Sequence, residues 1–147
     1  MLAVCKHILG SAIPVFQRYL GEVDQTDYSP LKVGKSYSVF SILMIKDRVD
    51  YLVCPPGGLP MWAPGQLFEV IDKRLPNGWM ICEASETADY AALSQAFGIG
   101  CILGYTDLVQ NYQHYIGLLE RDVEALRIFN REKEAMERQF NEDGVAE

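Results

Sequence analysis

The fold is decided by Tyr37-Ser38-Val39-Phe40-Ser41-Ile42-Leu43-Met44-Ile45, then Lys46-Asp47-Arg48, then Val49-Asp50-Tyr51-Leu52-Val53-Cys54. Both long runs are rich in β-branched and aromatic residues, and three polar residues separate them. That is the pattern of a β-hairpin with a short polar loop. Pro55-Pro56-Gly57-Gly58 then stops the second strand, because two prolines remove backbone donors and the glycines favour a turn. Downstream, Met61-Trp62 is a short apolar step before Pro64-Gly65, and Leu67 to Ile71 reads as another strand. Pro76-Asn77-Gly78 is a turn, and Trp79 to Glu83 is the next strand. Ile99 to Tyr105 closes the series, with Gly98, Gly100 and Gly104 marking close backbone approach.

Helices flank this β-rich core. Residues 84–97 read as a helix, with Ser85 or Thr87 as cap and Tyr90, Leu93 and Phe97 on one face. Thr106-Asp107 caps a short turn through Gln110. A long C-terminal helix follows, in which Leu119, Val123, Leu126 and Phe129 form the apolar stripe, fraying by Asp143-Gly144. The N-terminal stretch reads as a short helical lead-in interrupted near Pro14. The expected architecture is α+β: one domain over 1–147, with a helical lead-in (1–30), a β-rich core (33–105) and a helical segment (106–142). About five short, sequential strands predict a strongly twisted antiparallel sheet or an SH3-like barrel. The connections are too short for the crossovers a parallel sheet needs.

Composition narrows the function. The 147 residues carry 13 basic and 20 acidic side chains, a net charge of -7, with 49% hydrophobic and 22% charged residues. A core can form without staples, while an acidic surface disfavours nucleic acid and anionic membrane as partners. Cys5, Cys54, Cys82 and Cys101 are far apart, three of them among apolar neighbours, so they read as buried reduced thiols of a cytoplasmic protein. Val33-Gly34-Lys35-Ser36 ends like a phosphate loop, but Ser29 stands where that motif needs glycine, and Lys35-Ser36 opens a strand. Gly98-x-Gly100-x-x-x-Gly104 lies inside an apolar strand rather than before a helix. Glu83, Glu86 and Asp89 lack the ordered spacing of a metal loop and read as a solvated acidic edge. His114 could act as a base, but no nucleophile lies beside it in sequence. No catalytic, cofactor or metal site is expected.

The strongest signal is a missing charge. From Leu75 to Glu120, 46 residues contain no lysine or arginine, yet carry five acids together with Trp79, Tyr90, Phe97, Tyr105, Tyr112 and Tyr115. Such a surface suits docking onto a basic protein, charge speeding encounter and aromatic groups supplying contact area. Two patches are the candidate partner-binding residues: Glu83, Glu86, Asp89 and Tyr90 in one, and Asp107, Tyr112, His114 and Tyr115 in the other.

Several motifs carry a resemblance: Val33-Gly34-Lys35-Ser36-Tyr37-Ser38-Val39, Pro60-Met61-Trp62-Ala63-Pro64, Leu67-Phe68-Glu69-Val70-Ile71-Asp72, Leu75-Pro76-Asn77-Gly78-Trp79, and Gly104-Tyr105 followed by His114 to Asp122. Over residues 33–130 the chain resembles a family of small bacterial cytosolic proteins, some bearing a purine-biosynthesis synthetase name. Members of this kind look like immunity proteins of polymorphic or contact-delivered toxins. The resemblance implies a non-enzymatic protein that binds a cognate toxin effector domain, basic around its active site, and occludes it. The synthetase name fits poorly, since the sequence has no phosphate loop and no acidic magnesium motif. Two other readings stand beside it: a small enzyme or small-molecule binder using a barrel pocket with His114 as base, and a peptide-binding adaptor whose groove Tyr37, Trp62 and Trp79 would line.

Overall fold

The computed structural model describes residues 1–145. It is α+β, built from two antiparallel sheets and four α-helices. The smaller sheet has the order β2-β1-β6, from β1 (Leu2–Cys5), β2 (Ser36–Ser38) and β6 (Phe68–Asp72). The larger has the order β5-β4-β3-β8-β7, from β3 (Ser41–Ile45), β4 (Arg48–Val53), β5 (Met61–Pro64), β7 (Met80–Glu83) and β8 (Ile99–Gly104). The helices are α1 (Ala88–Phe97), α2 (Thr106–Gln110), α3 (Tyr112–Glu120) and α4 (Val123–Val145). The sheets do not close into a barrel.

The run from Tyr37 to Ile45 is two strands, not one. The Val39 N–H donates to the Met1 carbonyl of the small sheet, and the next N–H, Phe40, donates to Leu52 in the large sheet. The chain therefore changes sheets between two fully buried residues, Val39 and Phe40, each committed to a different core. The β3–β4 hairpin forms as its sequence predicts, but its loop is only Lys46-Asp47. Ile45 pairs with Arg48, and Lys46 takes the positive φ of 53° that closes the turn.

The N-terminus corrects the expected helical lead-in. Leu2–Cys5 is the central strand of the small sheet, hydrogen-bonded to β2 and β6. Beyond it the segment's only helical pieces are single 3-10 turns, at Gly10–Ala12 and Val15–Gln17, and Leu9 forms an isolated antiparallel bridge with Asp27. An ion cluster fastens this arm to the hairpin. Arg48 Nε and Nη2 donate to the two Asp50 carboxylate oxygens at 2.7 and 2.9 Å, while Nη1 reaches Glu22 Oε1 at 2.6 Å and the Gln17 carbonyl at 3.1 Å. The three side chains are at most 5% exposed. Outside the cluster, the Tyr19 hydroxyl donates to the Asp47 carboxylate, and Lys46 Nζ sits 4.6 Å from the centre of the Tyr19 ring.

The C-terminal helical segment is also divided. Arg121 adopts φ 59°, ending α3, and Asp122 Oδ2 accepts from the Ala125 N–H at the start of α4. Leu119 and Val123 flank that break and are 54% and 83% exposed, so they are not part of a continuous apolar stripe. The buried line of α4 is Ala125, Phe129 and Met136, with Phe129 meeting Phe40 edge to face at 5.3 Å. The helix continues to Val145 rather than ending at Asp143-Gly144.

Candidate functional site

Strand pairing sorts the faces of the large sheet, because directly opposed residues point the same way. Leu43, Ile102 and Cys82 align across β3, β8 and β7 on the face under the helices. Ile42, Leu103 and Ile81 align on the opposite face. The small sheet covers part of that opposite face, packing Ala3 and Tyr37, with the flanking Val39 and Leu67, against Tyr51, Val53 and Ala63 of β4 and β5. Its cover runs out towards β7. Ile81 is 62% exposed and Met44 39%, and Leu103 is half-buried. In the next row Met44, Cys101 and Glu83 are opposed. Gly100 is the extra residue where β8 slips against β3, and a Cβ there would meet nothing within 4 Å. The result is an apolar strip that ends on a strand with no neighbour on its outer side.

Of the first predicted patch, Glu83 lies on the strip's own face, while Glu86 and Asp89 belong to the turn and helix that pack on the other face of the sheet. Glu83 ends β7, Glu86 lies in the 3-10 turn at Ala84–Glu86, and Asp89 is in the first turn of α1; all three are exposed. Tyr90 is not part of that surface. It is 2% exposed, donates its hydroxyl to the Leu108 carbonyl, and packs against Tyr112 and Tyr115 at 5.1 and 5.8 Å. Burial raises its pKa well above the usual phenol value.

In the second predicted patch two of the four residues, His114 and Tyr115, are buried. Tyr115 is 6% exposed, with its pKa pushed up to about 12 by burial, and it packs on Trp62. His114 is 3% exposed, its Nε2 2.7 Å from the Tyr105 hydroxyl. Burial lowers the His114 pKa, the charges of Asp107 and Glu132 opposing. With its Nδ1 buried and unpartnered, His114 is a neutral core histidine rather than an exposed base. Tyr112 is half-buried and stacks on Tyr115. Asp107 is half-exposed but bonded to Arg131 of α4 at 2.7 Å, so a cation from outside the 75–120 stretch neutralises it.

The helical spacing of Tyr90, Tyr112 and Tyr115 carries no mark that separates core tyrosines from interface tyrosines. The residues missed, Ile81, Leu103, Met44 and Ile42, lie in strands whose neighbours are also apolar, so alternation could not reveal which side was uncovered. A groove of Tyr37, Trp62 and Trp79 does not form: Tyr37 is buried, and both tryptophans pack against the cores. Cys5 and Cys101 are buried and Cys54 and Cys82 half-buried, all as free thiols. Among the described residues no cluster of three His, Cys, Asp or Glu could hold a metal ion, and no helix is long and apolar enough to cross a membrane. No protein family, curated protein or solved structure matches the chain.

Proposed function

We propose that this chain is a non-enzymatic immunity-type protein that docks a basic toxin domain on the uncovered strip of its large sheet. The observation that supports this reading is the partly exposed apolar row of Ile81 and Leu103, with the exposed Glu83 in the adjoining row and the exposed acids Glu86 and Asp89 following it along the chain. Ile81, Leu103 and these three acids all belong to a stretch of 46 residues without a cation, while Ile42 and Met44 of β3 lie outside it. Apolar area supplies the buried contact, and the acids steer a basic partner and reject acidic ones. A toxin that acts on an anionic substrate presents such a basic surface around its active site.

The test is affinity capture from the native host at moderate salt, with wild type and Ile81→Asp compared. The expected result is one stoichiometric basic partner with wild type and about a tenfold or greater loss of affinity with Ile81→Asp. Reversal of Glu83 and Glu86 to lysine slows association with the purified partner. Recovery of the chain alone, or a partner indifferent to both changes, would overturn the reading.

A further inference from the structure

We propose that the cleft between the N-terminal arm and the helix-covered face of the large sheet binds a small amphipathic amine, a protonated amine on an apolar or aromatic body. Two adjoining hollows form it, of about 230 and 240 Å³, and they share Leu20, Asp50 and Trp62. Their linings differ in kind. The first is bounded by Glu22, Tyr28, Arg48 and Asp50, the second by Leu43, Ile45, Phe97, Ile99, Tyr115 and Leu119. One end is therefore ionic and the other apolar, with Asp50 and Trp62 at the joint.

The sign of the ligand follows from charge. Glu22 and Asp50 face a single guanidinium, leaving one negative charge in excess within side chains at most 5% exposed. Among the described residues Arg48 is the sole cation lining either hollow. It donates to both Asp50 oxygens, to Glu22 and to the Gln17 carbonyl, which occupies four of its five N–H groups. An anion entering the cleft would find two carboxylates and no free cation. An ammonium would find carboxylate oxygens, each able to accept more than one bond, and the rings of Tyr28, Trp62 and Tyr115, which attract cations. Its apolar body would take the second hollow. An uncompensated buried charge is costly, so a cationic ligand gains where a neutral one does not.

The probes are 2-phenylethylamine, its neutral counterpart 2-phenylethanol and the anion 3-phenylpropanoate. Each is titrated into the full chain at neutral pH, followed by amide and indole NMR shifts. Saturable binding of the amine, with shifts at the Trp62 indole, is expected. The alcohol should bind about tenfold more weakly, and the anion should show no saturation by about 10 mM. Glu22→Gln should weaken the amine at least fivefold while leaving the alcohol unchanged. Because that change could loosen the arm, Phe97→Ala serves as a second variant. Phe97 is 47% exposed and outside the ion cluster, and its loss should weaken amine and alcohol alike. Equal affinity for amine and alcohol, absence of saturation with the amine, or shifts away from Trp62 would overturn the proposal. None of these outcomes bears on docking at the opposite face.

Discussion

Replacing Arg48 by methionine should destabilise the chain more than almost any other single substitution. The guanidinium makes bonds of 2.6 to 3.1 Å to Asp50, Glu22 and Gln17, and its side chain is 1% exposed. Methionine keeps much of the apolar stem but strands two carboxylates, 3% and 5% exposed, with no cation between them. Breaking a buried pair in this way costs about 3–5 kcal/mol, and two stranded partners place Arg48→Met at the upper end. For a chain of this length that is a fall in Tm of roughly 10–15 °C. The pH dependence gives a second check. Burial already raises the Asp50 pKa above its ordinary 3.8, with Arg48 the main opposing influence. A carboxyl raised on folding contributes stability that is fully present below the ordinary value and is lost as pH rises through the folded value. Loss of Arg48 raises the folded value further, so the penalty of Arg48→Met should shrink as pH falls from 7 towards 4. Replacing all three charges together (Glu22→Leu, Arg48→Met and Asp50→Leu) should recover most of the loss, because no charge is left buried. Urea unfolding followed by circular dichroism at pH 7 and pH 4.5 measures each quantity. A cost below about 1 kcal/mol, or one independent of pH, would refute the reasoning that this cluster anchors the arm.

Two further perturbations probe the rest of the fold. Phe129→Ala removes a fully buried ring from the contact with Phe40 and should cost about 3–5 kcal/mol in urea unfolding, since little around it can collapse into the space. The His114 pKa is lowered by burial from its ordinary 6.5, so the native state resists protonation and stability falls as pH drops through 6.5 towards the folded value. Imidazole NMR should show a His114 midpoint below 6.5, and His114→Gln should flatten the loss of stability across that window.

Much of the sheet could be read from local chemistry, and the departures have physical causes. The hairpin of Ser41–Ile45 and Arg48–Val53 was legible because β-branched runs and a polar loop are short-range signals. The strand Leu2–Cys5 was not, because its partners lie over thirty residues away and no nearby turn announces them. The change of sheet at Val39-Phe40 was hidden for a related reason: both residues are apolar and buried, and neither glycine nor proline marks the crossing. In the candidate site, charge was more legible than shape. Glu83, Glu86 and Asp89 are exposed as expected, but Tyr90, His114 and Tyr115 turned inward. The apolar strip depends on how far the small sheet extends over the large one, a tertiary quantity that no local pattern encodes. The neutralisation of Asp107 by Arg131 was invisible for the same reason, since 24 residues separate them.

The central claim is that a basic protein partner docks on the uncovered strip of the large sheet. Amide hydrogen exchange on the complex with the captured partner, compared with the free chain, tests it most directly. The account expects new protection concentrated in Met80–Glu83 and Ile99–Gly104, with little change in Leu2–Cys5 or α4. Protection confined to the helices or to the small sheet, with Met80–Glu83 exchanging as in the free chain, would contradict it.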